Sequence, residues 1–193
     1  MRLVLLGPPG AGKGTQAARL CAGRTLAHLS TGDMLRRAVA AKSALGRKVQ
    51  SVMARGDLVS DATVIALIAE RVEAADCRPG FVLDGFPRTP AQAEALEGLL
   101  KEKDMALDAV LELRVEETAL LARMKTRLQE SGAAARADDT EDALAIRLKV
   151  YRRETAPVSD FYAARGLLHA LDGMQPIDAV TAAIDATLTA LKG

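Results

Sequence analysis

Tryptophan is absent, and aromatic residues make up only 3% of the 193 positions. The core must therefore be built from Leu, Val, Ile, Ala and Met. Cysteine is scarce as well: Cys21 and Cys77 stand far apart. That excludes a paired-cysteine zinc spacing and a disulfide framework, and it predicts two buried, reduced thiols in a cytoplasmic protein. Neither sign of charge dominates. The formal net charge is +1, so no global field draws the chain to nucleic acid or to a membrane, and neither is expected as a partner. No apolar run approaches the roughly 20 residues of a membrane span. The apolar stretch at residues 3–6 is too short for a signal peptide. Internal repeats and low-complexity tracts are also missing.

What remains is an ordinary globular composition, 49% apolar and 26% charged, at a length that predicts one domain with a large core. Its most informative stretch is Leu3-Val4-Leu5-Leu6-Gly7-Pro8-Pro9-Gly10-Ala11-Gly12-Lys13-Gly14-Thr15. Gly7, Gly12, Lys13 and Thr15 satisfy the phosphate-loop pattern G-x-x-x-x-G-K-[ST]. The four apolar residues before it read as a buried parallel strand, and Thr15 to Leu20 reads as the start of a helix. Glycines let successive backbone N–H groups converge on one point, and the helix N-terminus adds partial positive charge. Lys13 can then reach the β- and γ-phosphates of a nucleoside triphosphate, and the Thr15 hydroxyl can ligate Mg²⁺.

Along the chain, strands alternate with helices. Strands are expected at residues 3–6, 25–30, 80–85, 108–113 and 167–171. The first helix is expected from Lys13 to Ala22, stopping near Gly23. Ser30 or Thr31 caps a second helix, and another runs from Gly46 to Arg55, closed by Gly56. Residues 30–59 thus read as an appended helical flap with too little apolar surface for a core of its own. Asp61 is expected to cap the next helix, whose Val64, Ile65, Leu67, Ile68 and Val72 give a wide apolar face. A helix follows over Ala91–Lys101. Leu120, Leu121, Met124 and Leu128 mark another helix, over 116–129. Small residues at 131–135 form a linker, and a helix then begins at Asp138, Asp139 or Thr140. Pro157 should interrupt that helix, and Pro176 should start the last one. The alternation predicts an α/β fold with a doubly wound, five-stranded parallel sheet. Ligands in such sheets bind beyond the carboxyl ends of the strands.

Candidate residues cluster at those ends. Asp84 closes its strand and reads as the acidic partner of the phosphate loop, holding Mg²⁺ directly or through water. Asp33 has two readings of equal weight: orienting metal-bound water, or favouring its helix N-terminus. His28 is alone on its strand and reads as packed or solvated. Arg36 and Arg88 each follow a turn at the same sheet edge. Arg123 and Arg127 are four apart and share a helix face, while Arg136 and Arg147 lie eleven apart beyond the linker. Positioned arginines stabilise the charge spread over a migrating phosphoryl group.

Four of these stretches together resemble the adenylate kinases of the nucleoside monophosphate kinase family. They are the loop Gly7–Thr15; Ser30-Thr31-Gly32-Asp33-Met34-Leu35-Arg36; Asp84-Gly85-Phe86-Pro87-Arg88-Thr89 with Gln92; and Arg136-Ala137-Asp138-Asp139 with Arg147. The likeness covers the whole chain, 1–193, as one domain. It implies reversible transfer between ATP and AMP to give two ADP. Gly10, Ala11, Gly12, Lys13, Gly14 and Thr15 would hold ATP. Lys13, Arg123, Arg127, Arg136 and Arg147 would gather at the transferred group, Arg136 and Arg147 reaching the AMP side as well. Gln175 would touch the ATP adenine through its backbone. On the AMP side, Thr31, Gly85 and Gln92 would meet adenine with the backbone of Asp57, Leu58 and Val59. Arg36 and Arg88 would hold the phosphate beside Phe86 and Pro87, whose peptide bond the family implies to be cis. The long form of the family has a small folded lid between the equivalents of Arg127 and Arg136, sometimes with cysteine-bound zinc. Here eight residues separate those arginines and none is cysteine, so a short lid at 126–136 and no structural zinc are expected.

The resemblance implies catalysis by positioning, charge neutralisation and exclusion of water, with flap and lid closing over a monomeric enzyme. A UMP/CMP kinase of the same architecture is the nearest rival. Thr31 and Gln92 fit the adenine-reading form, whereas pyrimidine kinases of this group usually carry Asn after the Phe-Pro-Arg turn. A nucleotide-dependent binding protein without transfer activity is the remote alternative.

Overall fold

The computed structural model describes residues 1–131 and 140–191, apart from the side chains at 124, 125 and 127–131. Five strands form one parallel sheet: β1 (Arg2–Leu6), β2 (Ala27–Ser30), β3 (Phe81–Asp84), β4 (Ala109–Arg114) and β5 (Leu168–Asp172), in the spatial order β2-β3-β1-β4-β5. The doubly wound sheet matches the expectation. Successive residues of a strand point to opposite faces, so each central strand feeds two cores. Val4, Leu6, Phe81, Leu83 and Val110 face one side, where Val64 and Ile68 of α4 (Asp61–Arg71), Leu96 and Leu100 of α5 (Pro90–Glu102), and Val158 and Tyr162 of α8 (Ala156–Ala163) pack. Leu3, Leu5, Val82 and Leu111 face the other, against Ala17 and Leu20 of α1 (Lys13–Arg24) and Val180, Ile184 and Leu188 of α9 (Ile177–Ala190).

The flap consists of α2 (Thr31–Ala40) and α3 (Ala44–Ala54). Ser30 caps α2 by accepting from the Asp33 N–H, and Ser43 caps α3 by accepting from the Gly46 N–H. Leu35 and Val49 carry the apolar side of this helix pair into the main core.

Several local expectations need correction. Gly23 lies inside α1, and the helix ends at Thr25, whose φ of 54° is left-handed. Asp61 does not cap α4. Ser60 holds the cap position, Asp61 is the first helical residue, and its carboxylate turns toward α5 instead. Leu120 of α6 (Glu117–Ser131) is buried, but Leu121 is exposed; consecutive helix positions lie about 100° apart, and here the second falls outside the packed face. Cys77 is buried, whereas Cys21 is only partly so; both thiols are free. The helix expected after the linker is α7 (Glu141–Val150), capped by Thr140. It widens into a π-turn at Tyr151–Thr155, and Pro157 falls in the first turn of α8, where its missing N–H is harmless. Residues 132–136 of the expected lid, Arg136 among them, lie outside the described residues.

Gly46 is set by the α2–α3 contact. A Cβ there would lie 2.0 Å from the Ala38 carbonyl oxygen, a backbone atom that cannot step aside. Gly46→Ala should therefore cost about 2–3 kcal/mol or more, measured by denaturant or thermal unfolding. An unchanged stability would show that the two flap helices do not meet this closely.

Candidate functional site

The phosphate loop links β1 to α1, and its backbone explains its glycines. Gly7 has φ 138°, and a Cβ on it would sit 2.7 Å from the Leu113 carbonyl oxygen of β4. Gly12, at φ 97°, occupies the N-cap of α1 and supplies no side-chain cap. The first N–H groups of a helix have no partner within it. With no capping oxygen and no acid in the first turn, α1 presents them, with its dipole, to an anion. Lys13 folds back over the loop, donating to the Gly7 and Pro8 carbonyls at 2.7 and 2.9 Å. Burial pulls its ammonium down from 10.5 to about 8; Asp84 opposes this, while Arg88 and Arg147 reinforce it.

Beyond the loop opens a cleft of about 1110 Å³, just above the usual range for single small-molecule sites, about 300–1,000 Å³. Asp84 enters it from β3. Because β3 lies beside β1, with Asp84 in register with Leu5, its carboxylate oxygen comes within 3.6 Å of where a Cβ on Gly14 would stand. The side chain is 13% exposed, and His28 Nε2 donates to its Oδ2 at 3.3 Å. Burial alone would raise the Asp84 carboxyl. The His28 hydrogen bond and the charges of Lys13, His28 and Arg88 outweigh it, so the group stays below the usual carboxylate range. Asp84 and the exposed Thr15 are hard oxygen donors on one wall, a set that suits Mg²⁺ arriving with phosphates. Asp33 is engaged by Arg36, whose Nη2 lies 2.5 Å from its Oδ1, which favours its structural reading.

A smaller pocket opens beside this cleft, under the flap. Thr31, Gly85 and Gln92 form one side, and Asp57, Leu58 and Val59 the other. Arg36, Arg88 and Arg147 border both spaces. Thr31 Oγ1 donates to the Gly85 carbonyl at 2.8 Å, and Arg88 Nε donates to the same oxygen at 2.7 Å. The Phe86–Pro87 bond between them is cis, and Phe86 is buried in the core beneath the turn.

On the far side, Arg123 Nη2 donates to the Gly173 carbonyl at 2.7 Å, joining α6 to the loop after β5. Asp172 shapes that loop by accepting from the Met174 N–H and from Gln175 Nε2. Gln175 therefore turns its amide to Asp172 while the residue lines the cleft. Arg127 lies in α6. Of the expected site residues, the described structure thus gathers all but Phe86, Arg136 and the Arg127 side chain around one cleft and its side pocket; Phe86 does not line either space but fills the core under the turn. Sequence reasoning missed three residues. His28, half-buried in the cleft wall, buttresses Asp84. Asp61 binds Gln92 and Thr89. Thr155 donates to the Arg88 carbonyl at 2.9 Å. Only Thr155, just ahead of a proline in a helical stretch, had any signal in the sequence.

A family model described as adenylate kinase matches residues 5–167. Curated relatives carrying that name align over nearly the whole chain. One from Methylobacterium nodulans is 52% identical, over 100% of this chain and 98% of the relative. One from Beijerinckia indica is 55% identical, over 98% and 100%. One from Xanthobacter autotrophicus is 56% identical, over 97% and 98%.

The depressed Lys13 value has a signed consequence. A bound triphosphate favours the ammonium, so affinity is full below the ligand-free value of about 8 and is lost as pH rises through it. The Kd for a nucleoside triphosphate, measured by calorimetry, should weaken by up to about tenfold per pH unit above that point. For the ligand-free fold the sign reverses. The buried charge is a penalty below about 8 that is relieved toward 10.5, so this lysine's contribution to stability rises across that window. A Kd flat from neutral to alkaline pH would refute the placement of Lys13 against the phosphates.

Proposed function

The chain belongs to the adenylate kinase family, a nucleoside monophosphate kinase that transfers a phosphoryl group reversibly between ATP and AMP, and from that premise we propose how its own residues do so. ATP lies along the cleft with its phosphates on the loop Gly10–Thr15 and its adenine beside Gln175. AMP lies in the side pocket, its base between Gln92, Thr31 and the Asp57–Val59 backbone, its phosphate on Arg36 and Arg88. The observation that carries this reading is the continuity of the two spaces through Arg36, Arg88 and Arg147. Two phosphate tails entering from opposite sides meet there.

An AMP phosphate oxygen attacks the γ-phosphorus of ATP in line. The new P–O bond forms as the bond to the β-bridging oxygen breaks, and both products are ADP. The attacking oxygen is already a competent nucleophile, so no covalent enzyme intermediate is required. The chain's task is to place the two tails and to neutralise charge on the migrating group. Lys13 leaves the Gly7 and Pro8 carbonyls for the phosphates. Arg123, Arg127, Arg136 and Arg147 surround the equatorial oxygens. Thr15 and Asp84, directly or through water, with Asp33 as the weaker candidate, would hold Mg²⁺, which would supply positive charge to offset that of the phosphates. The flap at 30–59 and the short lid at 126–136 close to keep water from the γ-phosphate. Two free thiols fit a cytoplasmic setting, and a sequence with no exposed apolar heptad or edge pattern is read as a monomer.

A coupled assay with AMP, CMP, UMP and GMP tests the acceptor; AMP should dominate, and a preference for a pyrimidine nucleotide would overturn the assignment. Lys13→Met should lower kcat by on the order of 10³ with the fold retained; near-normal turnover would remove Lys13 from the mechanism. Arg88→Lys should raise the KM for AMP on the order of tenfold, because an ammonium cannot make the paired contacts of a guanidinium. The KM for ATP should hold steady; equal changes in both constants would contradict a phosphate role specific to AMP.

A further inference from the structure

Gln92, in the wall of the side pocket, belongs to a polar ring in which every hydrogen-bond direction follows from one group. Gln92 is 1% exposed, and its amide is held at both ends. Oε1 accepts from the Arg88 N–H at 2.7 Å, and Nε2 donates to Asp61 Oδ1 at 2.7 Å. Asp61 Oδ2 accepts from the Thr89 hydroxyl at 3.2 Å, and that hydroxyl oxygen accepts in turn from the Gln92 N–H at 3.1 Å. An ionised carboxylate can only accept. The Thr89 hydrogen must therefore point at Asp61, leaving its oxygen for α5, and the Gln92 amide must turn its NH₂ to Asp61 and its oxygen to Arg88.

We propose that Asp61 is a specificity-determining positioning residue, which locks the Gln92 amide in the one orientation that reads a 6-aminopurine and rejects a 6-oxopurine. This rests on the reading of the side pocket as the AMP base site. One Nε2 hydrogen is taken by Asp61. The other, beside the second lone pair of Oε1, gives the pocket a donor next to an acceptor. A 6-aminopurine complements that pair with a ring-nitrogen lone pair beside an amino hydrogen. A 6-oxopurine offers the reverse, an N–H beside a carbonyl, and would be matched only if the amide turned over. Turning over would aim the Gln92 oxygen at the Asp61 carboxylate and its NH₂ at the Arg88 N–H, two repulsive contacts in a buried site. With Asn in place of Asp61, the new amide can turn as well, and one of those two penalties disappears.

AMP and IMP differ only at this edge, so the ratio of their kcat/KM values reads the lock directly. Unmutated protein should favour AMP strongly. Asp61→Asn should reduce the AMP:IMP ratio by about tenfold or more, with the KM for ATP changed by less than about twofold. Gln92→Leu should reduce the ratio too, and adding Asp61→Asn to it should change the ratio no further, since Asp61 acts through Gln92. A role limited to supporting the start of α4 would instead lower the melting temperature and leave the ratio intact, which overturns the proposal. So would an additive effect in the double variant. If unmutated protein shows no preference for AMP, the base-site reading falls and takes this inference with it; if it prefers AMP and Asp61→Asn preserves the ratio, only this inference falls. The unmutated protein gives a check that no folding defect can blur. In NMR the Gln92 side-chain hydrogen that faces Asp61 should exchange slowly with solvent, and fast exchange of both NH₂ hydrogens would refute the lock.

Discussion

A helix that begins without a cap is the constraint on which the rest of this molecule depends. Gly12 leaves the N-terminus of α1 with no side-chain acceptor, and Gly7 brings the loop backbone against the carbonyl of Leu113. Both choices forgo local stability, because unpaired N–H groups and a left-handed backbone are unfavourable unless something compensates. A phosphate chain does compensate. Until it arrives, Lys13 occupies the same loop by donating to two of its carbonyls. The concentration of positive charge that binds substrate is therefore held together by the loop's own dipoles.

The sheet order turns this loop into a site. Because β3 lies beside β1 and β2 beside β3, the carboxyl ends of three strands open onto one cleft. Asp84 comes next to the loop through the β1–β3 register. The β2–β3 register pairs Ser30 with Asp84, so the flap that starts at Thr31 hangs over the same edge. His28, one turn of the pleat earlier on β2, then reaches Asp84 across the strands. Asp84 remains a carboxylate although burial opposes its charge, because its cationic neighbours outweigh the lost hydration.

A second set of contacts fastens the acceptor turn from behind. The backbone of Arg88 is held on its N–H by Gln92 and on its carbonyl by Thr155, and its guanidinium is steadied by the Gly85 carbonyl. Thr155 ends the π-turn that follows α7, the helix bearing Arg147. The segment that presents one cleft-lining arginine thus also supports the backbone of another. The wide turn both accommodates Pro157 and aims Thr155 at the site.

The loop, the strand before it, the alternation of elements and the flap were legible from the order of residues, because each rests on local causes: glycine's backbone freedom, apolar period and capping oxygens. The flap caps Ser30 and the break at Pro157 were legible for the same reason. Asp61 was misread as a cap because an acid at a helix start is locally indistinguishable from one aimed elsewhere, and His28 had no local signal at all. Their partners lie 31 and 56 residues away, and only strand register and helix packing select them. Sequence by itself therefore determined the phosphate-loop pattern, the strand and helix that flank it, and where along the chain they lie. Tertiary structure alone decided which side chains hold the binding groups in their working orientation, because a hydrogen bond between distant segments depends on where the folded backbone brings them, and no propensity of either segment encodes that distance.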